Sequence, residues 1–455
     1  MFSKLFKRSK KPVKGSYSTT HVRANEKLPS YQSSVFALSN SEESVTLSNI
    51  DEFISDYEKH QKNVLAQTVL THASMTDVLL NNQVKMNNQE EFELKISTEG
   101  NITNQKSSGR CWIFSTLSAM RRGVMEKYHL EEFELSQSFV FFYDKVEKSN
   151  YFLETIINIT PTEVDDDSRL LQSLFSDPVA DGGEWSMVVE LVEKYGIVPK
   201  SAYPESHNSE NTAEMNWLLT RKLREYAIHL RKMILIEKKS IDEVRKQKLQ
   251  YLNVIYKILC TCLGSPPKEF DWKFRCKNGE FHSYENLTPQ SFYKENVSTS
   301  FGSSVVETVL LANDPRFPYY KPLVLEHKGN VYGKKLIQVN VPIEVLKEVS
   351  ILTLKNDQPV QFECDVGMFF KSGIMDLSII NYEAAFDVNV HNISKADRVK
   401  FKESKVFKTF FLLTLILQPT HDMLLTGCHF DAKGNPLRWR VQNSWGVSGR
   451  SDGYE

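Results

Sequence analysis

From Glu205 to Leu263 the chain runs for fifty-nine residues without a glycine or a proline. A stretch that long with no residue to break a helix or set a tight turn is committed to helix. Two apolar-periodic segments lie in it, over 211–238 and 241–262, and Ser240 followed by Glu243 forms a capping box that marks the start of the second. The spacing predicts a long helical hairpin. Its outward apolar positions, Trp217, Leu218 and Tyr226, suit either a partner surface or packing on the hairpin's own domain.

Upstream the pattern is also helical. Ile50, Phe53, Ile54 and Tyr57 fall on one helix face, with Asp51 and Glu52 in the first turn where the macrodipole favours acids. Residues 87–104 read as an extended connection. Cys111 then opens the apolar run CWIFSTLSAMRR, a buried helix with basic residues at its C-terminal end. From residue 320 the texture becomes short β-type runs, ending in two strands joined by a turn at Lys433–Pro436. Helices first and strands last make an α+β protein. We divide it into a basic, polar leader (1–47), a helical lobe (48–204), the helical hairpin insertion (205–285) and a β-rich lobe (286–455).

Composition narrows the function. The chain has 455 residues, 41% apolar and 25% charged, which is globular rather than disordered. A net charge of -1 offers no electrostatic argument for nucleic-acid binding. The longest strongly apolar run, Phe410 to Leu417, is far short of the roughly 18 residues needed to span a bilayer. Six cysteines are too few for a disulfide scaffold, and their only close pair, Cys260 and Cys262, has poor zinc spacing. This points to a reducing compartment, and to chemistry by one thiol without metal or cofactor.

The run Asn104–Phe114, NQKSSGRCWIF, holds the candidate thiol. Cys111 at the first residue of a helix sits at the positive end of the macrodipole, which favours thiolate. Gly109 permits close backbone approach by a substrate, and the Gln105 amide is placed to join the Cys111 backbone N–H at an oxyanion. A buried cysteine alone is more often core than catalytic. The partners lie near the other end. His421 precedes Asn443 by 22 residues, a spacing that two antiparallel strands can close. A histidine can deprotonate a thiol, and an asparagine can orient the ring through its other nitrogen.

Together, Q-x-x-x-G-R-C-W, D-G-G-E-W at 181–185 and N-S-W-G resemble the papain-like cysteine peptidases. LAQ at 65–67, TNQKSSGRCW at 103–112, LTPQSFY at 287–293, NDPR at 313–316 and CDVG at 364–367 are similar to their intracellular branch, the bleomycin hydrolases. The likeness runs from about residue 45 to the end. It implies a two-lobed papain-like fold, with Cys111 as nucleophile, His421 as base and acid, Asn443 as orienting amide and Gln105 as oxyanion donor. Gly182 and Gly183 then resemble the backbone edge that binds substrate. The secreted papains carry a cysteine where Ser108 stands, so their nearby disulfide cannot form here.

His421 lies 310 residues beyond Cys111, against roughly 130–150 in papain-type enzymes. In the bleomycin hydrolases such insertions build a hexameric ring, and the resemblance implies one here. Two departures stand out. Lys405–Pro419, mostly apolar, looks inserted just before Thr420-His421, and the sequence ends at Glu455, where the family continues into further strands and a cleft-filling C-terminal arm. The expected function is a cytoplasmic thiol aminopeptidase acting on peptides or aminoacyl amides, with no membrane association. The leader, with six basic residues in the first fourteen, is compatible with mitochondrial delivery as well. The alternatives are a non-catalytic oligomer that binds nucleic acid through the basic run Arg221–Arg231, and an inactive truncated gene product.

Overall fold

The computed structural model describes residues 44–87, 91–298, 308–325, 328–364 and 420–447, with shorter stretches at 366, 370–371, 374–375, 378–390, 392–394, 396–397, 400 and 453–454. The leader up to residue 43 and the apolar segment 405–419 lie outside these, as does the position of any oligomer partner. The chain divides into two compact units, residues 1–72 and 73–455. The first holds helices Leu47–Lys59 and Gln61–Leu70, and a Thr46/Asn49 capping box starts the former.

In the second unit, helices Cys111–Lys127, Gln137–Ile159 and Trp185–Tyr195 pack on one another around a core in which Trp112, Phe114, Phe139, Phe141 and Phe142 are fully buried. Each such side chain taken from water contributes about 1.5–3 kcal/mol, so this lobe carries most of the apolar stabilisation. The helical hairpin forms as expected, Ala213–Leu235 and Ile241–Leu263, with the Ser240/Glu243 box in place. It packs on the Gln137–Ile159 helix of its own unit. Lys248 and Arg245 reach Glu154 there, each at 2.6 Å. Tyr226 is not a surface residue. It is 6% exposed and stacks on Tyr251 at 4.0 Å, because it lies on the seam between the two hairpin helices; Trp217, 65% exposed, does face outward.

Two further elements differ from the sequence reading. The stretch assigned to the helical insertion ends in a β-hairpin, Phe270–Arg275 with Phe281–Leu287. A thirteen-residue helix, Ile343–Lys355, interrupts the β-rich lobe.

That lobe is built on an antiparallel sheet whose central strand is His421–Phe430. One edge of the strand pairs with Val360–Cys364 over its first half and with Leu94–Lys95 further on; the other pairs with Pro436–Gln442 across the turn at 433–436. The first residues of this strand abut the start of the Cys111 helix, and the site lies at that junction.

Candidate active site

The two sequence motifs, more than three hundred residues apart, are joined backbone to backbone. Gln105 N–H donates to Ser444 O at 2.8 Å and Gly446 N–H to Thr103 O at 2.9 Å, with Asn104 bridged to Trp445. Gly446 has φ +77, and a Cβ there would lie 2.4 Å from the Asn104 amide, so only glycine closes this seam. Asn443 follows directly from the Pro436–Gln442 strand and His421 begins the strand beside it. The register brings the two together: His421 Nε2–H donates to Asn443 Oδ1 at 2.7 Å, and the imidazole stacks on Trp445 at 4.5 Å. With the proton on Nε2, the lone pair of the neutral ring sits on Nδ1. Burial lowers the His421 pKa, while the Asn443 bond favours the protonated ring.

Cys111 is the first residue of its helix and 7% exposed. The expectation that the helix terminus favours thiolate meets two opposing influences here. Burial, followed by the charge of Asp422, pushes the thiol pKa up. Desolvation of an anion outweighs a partial charge of the macrodipole. The Sγ–H donates to Asp422 Oδ2 at 3.5 Å. Asp422 was not singled out by the sequence reading; its place next to His421 on an alternating strand was the available signal.

Gln105, 6% exposed, does not present a free amide. Its Nε2 donates to Ser108 O at 2.5 Å and its Oε1 accepts from Ser444 Oγ at 2.7 Å. Ser108 in turn accepts from Arg110 Nε at 2.9 Å, so the position that is cysteine in the secreted papains here anchors an arginine paired with Glu205.

The three glycines have different reasons. At Gly109 a Cβ would sit 2.9 Å from Asp181 Cβ, so the close approach there is by Asp181, whose Oδ2 accepts from Gly109 N–H at 3.1 Å. At Gly183 a Cβ would strike the Trp112 indole at 2.7 Å. At Gly182 nothing lies within 4 Å, which leaves that edge open. The loop carrying Gly182 and Gly183 is held from beneath by two buried lysines of the Gln137–Ile159 helix. Lys145 Nζ reaches Asp181 Oδ1 at 2.7 Å and Val179 O at 2.5 Å; Lys148 Nζ reaches Ala180 O at 2.8 Å and Gly182 O at 2.7 Å. Neither lysine was found from sequence, although charges in the otherwise apolar run FVFFYDKVEK were the clue.

Gly183→Ala therefore tests the coupling of loop to nucleophile helix. Trp112 is fully buried and donates from Nε1 to Asp181 O at 2.6 Å, so it cannot yield without opening the core. The expected result is a loss of about 1–3 kcal/mol of stability from overpacking, together with a marked fall in kcat/KM. Unchanged urea unfolding and unchanged turnover would show that the loop absorbs the methyl.

The basic run Arg221–Arg231 is largely committed within the protein. Arg224 donates to Phe175 O and Ser176 O, Arg231 pairs with Asp166 at 2.8 Å, and Lys222 pairs with Glu225 at 2.7 Å. Among the described residues no helix is long and apolar enough to cross a membrane.

The chain matches the Peptidase C1-like family over residues 44–455. It is 41% identical to the bleomycin hydrolase of Gallus gallus over 399 residues, 86% of this chain and 84% of the relative. It is 36% identical to aminopeptidase C of Streptococcus thermophilus over 409 residues, 89% of this chain and 87% of that one. The crystal structure of PepW from Lactobacillus rhamnosis superposes with a TM-score of 0.83 at 34% identity, covering 91% of this chain and 89% of that chain.

Proposed function

The chain belongs to the peptidase C1-like family, and we propose that it is an intracellular cysteine aminopeptidase of bleomycin hydrolase type in which Cys111, His421 and Asn443 carry the reaction. The observation that carries the assignment of roles is the 2.7 Å bond from His421 to Asn443 at the strand end that touches the Cys111 thiol through the next residue.

His421 Nδ1 takes the thiol proton as Sγ attacks the carbonyl carbon of the N-terminal residue. The Cys111 backbone N–H at the helix start meets the oxyanion; Gln105 joins it only by giving up its bond to Ser108 O. The imidazolium, held by Asn443 and backed by Trp445, then gives its proton to the leaving amine. Water, deprotonated by His421, attacks the thioester, and the carboxylate leaves with the thiol restored. Asn443 fixes the ring rather than exchanging protons. Gly182, with its open face, lies along the substrate backbone, and Gly183 holds that edge against Trp112.

A reducing, cytoplasmic setting is supported by six cysteines that are all free. A homohexameric ring is supported by the outward Trp217 and Leu218 of the hairpin. Salt-sensitive nucleic-acid binding is not favoured, since Arg224 and Arg231 of the basic run are occupied by partners within the protein.

The test is hydrolysis of free and N-acetylated aminoacyl amides, with and without iodoacetamide. His421→Ala is expected to lower kcat by about a hundredfold or more and to slow alkylation of Cys111 near neutral pH, while Asn443→Ala loses less. Unchanged alkylation in His421→Ala would assign the base to another residue.

A further inference from the structure

The mechanism leaves one buried acid at the nucleophile unused. Asp422 follows His421, and strand alternation sends its side chain to the opposite face. While His421 lies against Asn443 and Trp445, Asp422 turns under the start of the Cys111 helix, 5% exposed, and accepts from the thiol at 3.5 Å. Gln361 Nε2 holds its other oxygen at 2.7 Å, so the carboxyl is fixed in this position. Glu363 stands directly opposite on the paired strand and hydrogen-bonds to it.

We propose that Asp422 is a second proton partner of the nucleophile: as a carboxylic acid it donates to the Cys111 thiolate, and as a carboxylate it keeps the proton on sulfur. The proposal rests on Cys111 being the nucleophile. In the acid form the Sγ–H bond breaks with its proton passing to His421 Nδ1, and the Asp422 O–H, which keeps its own proton, points at the new thiolate. Above its titration Asp422 has released that proton to solvent. The carboxylate then accepts from Sγ–H, and ionising the thiol would place two anions in contact.

Among the described residues the titratable groups facing Asp422 are Cys111 from its helix and Glu363 from the Val360–Cys364 strand, with Glu184, at the start of the Trp185–Tyr195 helix, acting at longer range. All are acids. On the flanking strand, Arg440 is turned away to Glu99 and Thr426, and on the Leu94–Lys95 strand Lys95 pairs with Glu99 at 3.3 Å. The Ile343–Lys355 helix, also packed on this strand, adds no charge to the set. Burial raises Asp422 to about 7, and burial with the Asp422 charge beside it raises Glu363 well above its ordinary value. Burial and the Asn443 bond shift His421, and the Asp422 carboxyl is assigned to the sulfur because that is the reacting atom it touches, at 3.5 Å.

The experiment is the rate of iodoacetamide labelling at Cys111, located by peptide mass spectrometry on the intact protein, from roughly pH 5 to 9. The wild-type rate should peak below neutrality and fall about tenfold by about pH 8.5, where a thiol governed by its histidine alone would hold a plateau. Asp422→Asn, whose amide donates at every pH, should lose that descending limb and label about tenfold faster at the alkaline end. A wild-type rate that climbs steadily to an alkaline plateau overturns the proposal even if the variant does not fold. So does an Asp422→Asn profile that superimposes on wild type. If instead Cys111 labels no faster than the other five cysteines at any pH, the nucleophile assignment itself fails.

Discussion

Cys111→Ser is expected to abolish hydrolysis of aminoacyl amides, by a factor of about 10⁴ or more, while the helical lobe keeps its stability. The change is nearly isosteric, and the Sγ position is buried between its helix and Asp422, so no cavity opens. Chemistry is what is lost. Even the thiol is held protonated at rest by burial and by Asp422, and becomes a nucleophile only as His421 takes its proton. A serine hydroxyl starts several pKa units higher in the same desolvated place, and His421, itself lowered by burial, is too weak a base for it. The measurement is kcat/KM on an aminoacyl amide, beside the unfolding midpoint of both proteins. Retention of more than about one per cent of the activity, with trace peptidases excluded, would remove Cys111 from the reaction.

What the sequence made legible follows from where each signal is local. The Cys111 helix announced itself by the apolar run CWIFSTLSAMRR, twelve residues from Cys111 to Arg122, and the second hairpin helix by its capping box. The final strand pair followed from the Lys433–Pro436 turn, and its register carried His421 to Asn443. Resemblance supplied the roles. The Ile343–Lys355 helix was missed because Val345, Val349 and Ile351 are β-branched, and the helix begins after Pro342 with no side-chain cap. Tyr226 was misplaced because helical periodicity tells which residues share a face, not which helix will cover it. Asp422 and Lys145 were missed for a different reason: a place beside His421 and a charge in an apolar run mark them as unusual, but their meaning lies in residues far away in the chain, Cys111 and Asp181, which no local pattern names.

Asp181→Ala is expected to be the most damaging change in the loop that faces the nucleophile. One carboxylate ties four parts of the protein together. Its Oδ1 meets Lys145 at 2.7 Å and Asn216 Nδ2 at 2.6 Å; its Oδ2 accepts from Thr212 at 2.5 Å and from Gly109 N–H at 3.1 Å. Burial raises its pKa, but the Lys145 ammonium and these donors overcome that and hold the carboxyl well below its ordinary range. For a depressed acid the stabilisation is fully present above the unfolded value, 3.8, and is lost as pH falls through the folded one. Near neutral pH, removing it leaves Lys145, whose side chain is wholly buried, with an uncompensated charge, which costs about 3–5 kcal/mol. It also frees Gly109, two residues before Cys111, from the side chain that fixes its N–H, so turnover should fall further than stability alone requires. The companion variant Asp181→Leu with Lys145→Met separates the two effects. Removing both charges should recover much of the lost stability, since a buried pair replaced by apolar residues is often neutral. It should not recover kcat, because Gly109 still lacks its acceptor. Urea unfolding and kcat are measured on all three proteins. If the double variant regains activity along with stability, Asp181 is only a structural ion-pair partner and does not position the nucleophile loop.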